Sequence, residues 1–264
     1  MKKRFLLAIA MAIALALMGG ISSAAMVGID GHKAYIYPVV RVTTNSGGGS
    51  GTVVCSRPVD GTYETYIITN NHVIASAILI KEEWDSVKKE DVKVERRSVV
   101  YVEIFAYRNV SEPTGTLKLE ADILAYSEAE DLGLLKLRYD EQVTNIAKLP
   151  APGLIYNVLD ESISVGCSLL FPPLPATGVI TRKNILLESL PFDMSSSQII
   201  FGNSGGAMFL ADGTWIGVPS RVAATGWMGS VPITHMGLFI SFSRVYGWLE
   251  KEGYGFVFKP VEQK

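Results

Sequence analysis

The chain has 264 residues, 48% of them hydrophobic, with 24 Lys and Arg against 26 Asp and Glu and two cysteines. One large β domain can fill such a length. A nearly neutral charge gives no basic field for nucleic acid, and two cysteines are too few for a disulfide scaffold.

The first segment differs from the rest. Residues 1–4 (MKKR) are basic, residues 5–18 (FLLAIAMAIALALM) are apolar, and residues 22–25 (SSAA) are small. This is the order of a secretory signal, and cleavage near Ala25 is expected, an uncleaved anchor being the alternative. The 14 apolar residues fall short of the roughly 20 that a membrane span needs, and no cysteine follows them as a lipid attachment point. An exported chain, periplasmic or secreted and without a stable membrane anchor after cleavage, is expected. Removing Lys2, Lys3 and Arg4 leaves 21 basic against 26 acidic residues, a net charge near −5. Export would permit a bridge between Cys55 and Cys167. Without one, each is a small buried hydrophobe, and sequence alone gives no geometry to decide.

From there, short β-type runs separated by Gly, Pro and Asn dominate. They fall at 35–42, 51–56, 65–70, 98–110, 116–127, 131–139, 162–170, 177–186, 206–211, 214–222 and 236–242. Many alternate apolar and polar residues, which predicts an all-β barrel or sandwich. Residues 81–97 break the series with 12 charged residues in 17 and read as a solvated loop or short helix. "LPAPG" (149–153) marks a linker between two halves. In 243–254, Val245, Trp248 and Leu249 have helical spacing and Gly253 is a stop, so a C-terminal helix is expected.

"FGNSGGAMF" (201–209) surrounds Ser204 with three glycines. It reads either as a turn between strands or as a nucleophile that needs backbone N–H groups close by. A hydroxyl needs a base, and the chain offers only His32, His72 and His235. His72 ends a β run in "YIITNNHVIASA", before a stretch able to form one helical turn. Asp131 in "EDLGLLKL" precedes an alternating strand, where it either caps the strand or serves as acceptor for a histidine ring N–H. Three scattered histidines, two cysteines and no HExxH give no metal-ligand spacing, and no cofactor is expected. "NSGGGSG" (45–51) precedes a strand instead of opening a helix, so it is not a phosphate loop.

The order His72, Asp131, Ser204, with "SGGGSGTVV", "YIITNNHVI", "DLGLLKL", "FGNSGGAMF" and "GTWIGV" spread from Ser46 to Val218, resembles the chymotrypsin-like (trypsin-like) serine protease superfamily. Within it, the chain is most similar to the HtrA/DegP-type protease domain. The resemblance implies two six-stranded antiparallel β-barrels, at about 34–148 and 153–250, with a site in the cleft between them. It implies His72 as general base, Asp131 as orienting carboxylate, Ser204 as nucleophile, and the backbone N–H groups of Gly202 and Ser204 as oxyanion hole. Gly205 and Gly206 would let the chain leave the site without a Cβ crowding the substrate. Asn203 stands where digestive relatives have an Asp that pairs with a freed N-terminus, so no propeptide activation is implied.

Further positions follow from the same resemblance. Gln198 falls at the base of the specificity pocket and offers no counter-charge to Arg or Lys. Ser220 falls where a hydroxyl supports the Asp, and Arg221 and Val222 border the substrate channel. Only 60 residues follow Ser204, too few for the PDZ domain that the group usually carries. The function implied is an exported serine endopeptidase acting on peptides or unfolded proteins through an acyl-enzyme. The alternative is a catalytically silent binding or scaffold protein on the same fold.

Overall fold

Consecutive apolar residues such as Tyr66–Ile67–Ile68 fit a strand that is buried on both faces, because side chains alternate sides along a strand. The computed structural model describes residues 25–151, 153–225 and 231–259 and shows that arrangement. The leader expected over residues 1–25 lies, except for Ala25, outside the described residues. Ile67 joins Val40, Val42, Val53, Val102 and Leu135 inside a first barrel. Its neighbours Tyr66 and Ile68 face the other way, into a core shared with Ile163, Phe209, Trp215 and Trp248 of the second half.

The first barrel is β1 (Val39–Thr43), β2 (Gly48–Val59), β3 (Thr62–Thr69), β6 (Val100–Arg108), β7 (Glu112–Ser127) and β8 (Leu132–Leu137), closed in the order β1-β2-β3-β8-β7-β6. The second is β9 (Glu161–Gly166), β10 (Leu174–Leu187), β11 (Leu190–Ser195), β12 (Ala207–Leu210), β13 (Trp215–Thr225) and β14 (Val231–Ser241), closed in the order β10-β11-β14-β13-β12-β9. All of these pairings are antiparallel. Three short helices matter to the argument: α1 (Gly28–Gly31), α2 (Asn71–Ile74) and α3 (Phe242–Lys251). α3 buries Val245, Trp248 and Leu249, as its spacing predicts. The fold class is the expected one, all-β with two six-stranded barrels and a short C-terminal helix.

The charged segment is a correction. In place of a loop or short helix it forms a two-stranded ribbon, β4 (Ile78–Asp85) and β5 (Glu90–Arg97). Glu82 stands directly opposite Lys93 across it, and Arg96 reaches diagonally to Glu83 at 2.7 Å. Its turn is closed by Asp85, whose carboxylate accepts the Val87 and Lys88 amides. Cross-strand pairs thus offset the poor strand propensity of Lys and Glu. The start of the run at 35–42 is also helical, since His32–Ile36 continue α1. Both Cys55 and Cys167 are buried free thiols.

Candidate active site

The register of β3 on β8 brings two side chains together. Thr69 pairs with Gly133, so α2, which follows β3, lies beside the turn that precedes β8. His72 is on α2 and Asp131 on that turn. Asp131 Oδ1 and Oδ2 lie 2.9 and 3.0 Å from His72 Nδ1, and Oδ1 also accepts the His72 backbone N–H at 3.1 Å. Ser220 Oγ donates to Oδ2 at 2.7 Å, and Asn70 Nδ2 donates to the Asp131 carbonyl at 2.7 Å. Burial pushes the Asp131 carboxyl up, but the His72 ring N–H and charge, the Ser220 hydroxyl and the His72 amide outweigh it and hold the group below its ordinary value. The His72 side chain is 49% exposed, so its other ring edge is open.

Ser204 lies in the loop between β11 and β12. Its hydroxyl donates to the Ser220 carbonyl at 3.4 Å and not to the His72 ring. Ser220 therefore touches both Ser204 and Asp131. The four carbonyls from Phe201 to Ser204 are engaged by the scaffold. Phe201 O accepts the Leu169 amide at 2.8 Å, Gly202 O accepts Ser50 Oγ at 2.6 Å, Asn203 O accepts the Gly206 amide at 2.9 Å, and Ser204 O accepts the Ser50 amide at 2.8 Å. The Gly202 and Ser204 amides have no hydrogen-bond partner among the described residues.

The glycines owe their places to close approach within the scaffold. At Gly202 φ is +97°, and a Cβ would meet Cys167 O at 2.4 Å. At Gly205 φ is +84°, and a Cβ would meet Ser50 O at 2.2 Å. A Cβ on Gly206 would meet Val165 O at 2.3 Å. For Gly205 and Gly206 the atoms that a Cβ would meet belong to the protein itself.

The remaining expected positions divide. Asn203 is 2% exposed, and its side-chain oxygen accepts Ser168 Oγ at 2.7 Å and the Ile200 amide at 3.3 Å. Met26, by contrast, bonds Tyr35, whose hydroxyl reaches Ala211 O. Gln198 is exposed, with its carbonyl bonded to Ser164 Oγ. The buried neighbour is Ile199, which packs on Gly237. Arg221 pairs with Glu188 at 3.1 Å, and Val222 is half-buried. The pairing of β13 with β12 ends at Gly217, Ser220 falls in a register shift, and Arg221 and Val222 pair only with β14 among the described residues. His32 bonds Gly28 O and Ser111 and takes no part in the site, and His235 is exposed on β14. Sequence reading missed Ser50, although it lies within the quoted "SGGGSGTVV". The signal was there in a serine set among glycines, where backbones approach closely.

Residues 49–218 match the family model described as a trypsin-like peptidase domain. The chain is 27% identical over 234 residues to the magnetosome formation protease MamE of Magnetospirillum gryphiswaldense, covering 85% of this chain and 25% of that protein. It is 25% identical to the periplasmic pH-dependent serine endoprotease DegQ of Escherichia coli, covering 70% of this chain and 33% of that protein. The chain thus spans a quarter to a third of these relatives' length. A solved HtrA-type protease with a tripeptide superposes with a TM-score of 0.60 at 18% identity, over 85% of this chain and 63% of that one. That likeness concerns the fold.

Proposed function

The chain belongs to the trypsin-like peptidase domain family, as an HtrA-type member, and from that premise we propose that it is an exported serine endopeptidase cleaving peptides or unfolded proteins. The observation that carries the proposal is the continuous set Ser204–Ser220–Asp131–His72, beside two unpartnered amides. In this reading Ser204 Oγ attacks the scissile carbonyl and His72 Nε2 takes its proton. Asp131 holds the ring through Nδ1–H and stabilises the imidazolium. The Gly202 and Ser204 N–H groups receive the developing oxyanion. His72 then protonates the leaving amine, and water releases the acyl group by the same steps. The Ser204–Ser220 bond is long and weak, so the hydroxyl is free to turn to His72 when substrate fills the cleft, as catalytic hydrogen bonds often tighten only then.

Residues 220–222 offer an open strand edge for substrate backbone. Beside it, Ile199 is buried against Gly237, and neutral Gln198 supplies no counter-charge to a cation. Cleavage after aliphatic or small uncharged residues is expected, since a buried cation needs a partner. A peptide-library profile led by Arg or Lys would contradict this. Periplasmic location is proposed on the leader and on the relatives' names.

A catalytically silent binding protein is the second reading, favoured by the Ser204 hydroxyl facing Ser220 instead of His72. A fluorophosphonate probe separates the two. Wild type is expected to be labelled and Ser204→Ala not. Ser204→Ala and His72→Ala are each expected to cut peptide turnover by roughly 10⁴-fold or more, because the three groups act as a unit, with the fold intact by circular dichroism. Full turnover in His72→Ala with loss in His235→Ala would reassign the base.

A further inference from the structure

Asp131 holds a left-handed backbone, φ +52°, which is uncommon for a residue other than glycine. Such a conformation persists only where its surroundings over-determine it. The φ of Asp131 reports the tilt of the peptide plane that joins it to Glu130. Both ends of that plane are held. Its amide donates to Glu128 O at 3.2 Å, and its carbonyl, Glu130 O, accepts from Arg244 Nη2 at 3.0 Å.

Arg244 comes from α3, on the opposite barrel, and its side chain is 11% exposed. The same guanidinium donates through Nε to Glu130 Oε2 at 2.7 Å and through Nη1 to Pro191 O at 2.9 Å, and it lies 4.7 Å from the centre of the Phe192 ring. One planar fork therefore grips a carbonyl and a carboxylate of one residue while being braced from β11. The other contacts of Asp131, from Asn70, Ser220 and His72, act on its own carbonyl and carboxylate and leave the preceding plane untouched.

We propose that Arg244 is a positioning residue: by fixing the Glu130–Asp131 peptide plane it sets the direction in which Asp131 presents its carboxylate to His72 Nδ1. This rests on the reading of His72, Asp131 and Ser204 as a catalytic set. An arginine suits the task because its rigid fork meets two oxygens at fixed separation, whereas a lysine supplies a single mobile centre.

The test compares Arg244→Met, Arg244→Lys and Glu130→Gln with wild type by kcat, KM, thermal melting and the downfield proton signal of His72 Nδ1–H, assigned by its loss in His72→Ala. Arg244→Met is expected to lower kcat by about ten- to a hundredfold, the scale of a small misplacement of catalytic groups, with KM unchanged and the protein folded at the assay temperature. Arg244→Lys, which keeps charge and packing, is expected to recover part of that loss. Glu130→Gln, which keeps the carbonyl grip, is expected to lose less than Arg244→Met. The His72 proton signal is expected to broaden or vanish in Arg244→Met. An unchanged signal overturns the proposal whether or not the chain hydrolyses peptides. A loss of turnover that only tracks the unfolded fraction in both Arg244 variants also overturns it. A wild type with the signal but no hydrolysis would defeat the peptidase reading alone, since the positioning of Asp131 is still read from the signal.

Discussion

Gly205, in a loop of the second barrel, comes closer to the first barrel than a Cβ would allow. Its Cα lies where a side chain would overlap Ser50 O and Thr69 Oγ1, both on the first barrel, and its φ disfavours any other residue. Gly205→Ala is expected to destabilise the protein by roughly 2–4 kcal/mol, from backbone strain plus overlap, read as a lower urea midpoint. A variant as stable as wild type would mean that the loop retreats easily from Ser50. The same scale shows where sequence reading reached and where it stopped. His72, Asp131 and Ser204 could be named because their neighbours form short fixed motifs, and Ser220 from its position after them; in the structure Ser220 contacts both Asp131 and Ser204. Gln198 was placed by counting back from Ser204, and counting cannot tell which of two adjacent residues turns inward. Here Ile199 is the buried one and Gln198 the exposed one. Arg244 left no local trace, because its partners Glu130 and Pro191 are far from it in sequence.

Among the elements, strands buried on both faces were the most legible, as in β3 and β8, where apolar runs leave few alternatives. β11 and the β4–β5 ribbon were not legible. The first is short and holds the buried polar residues Asp193 and Ser195, and the second is stabilised by pairing that only appears once the strands meet. A polar pairing of the same kind supports the outer face of the first barrel. There Glu64 on β3 accepts from Lys136 on β8, from Tyr66, and from Arg57 on β2. These donors, Lys136 foremost, hold the Glu64 carboxyl down to about 2. A depressed carboxyl contributes stability that is complete above its unfolded pKa of about 4.3 and disappears as pH falls through the folded value. Wild type is therefore expected to melt above Glu64→Gln at pH 7, with the difference shrinking below about pH 4 and closing near pH 2. A difference constant over that range would show that Glu64 acts through packing alone.

At the scale of the whole molecule, the segment around Met26 docks on the β12–β13 turn, where a Cβ on Gly213 would meet the Met26 methyl at 2.6 Å. Asn203 meanwhile satisfies its oxygen with Ser168 and Ile200. A buried Asp would need a cation there, because an unpaired buried charge costs several kcal/mol; a neutral amide does not. Protein beginning at Met26 and protein with a blocking residue ahead of Met26 are expected to hydrolyse peptides equally fast. A large loss on blocking would show that a free amine is used after all. Ser50 carries a different consequence. It belongs to β2, yet its amide and hydroxyl secure the carbonyls of Ser204 and Gly202. Synthesis runs from the N-terminus, so the half bearing His72, Asp131 and Ser50 emerges first with no hydroxyl to activate. The half bearing Ser204 emerges last, and its loop is secured by contacts with that first half. Neither half carries the whole set of His72, Asp131 and Ser204, so under the proposed peptidase reading hydrolysis is expected only once the two halves have docked, with Ser50 of the first half holding the Ser204 loop of the second.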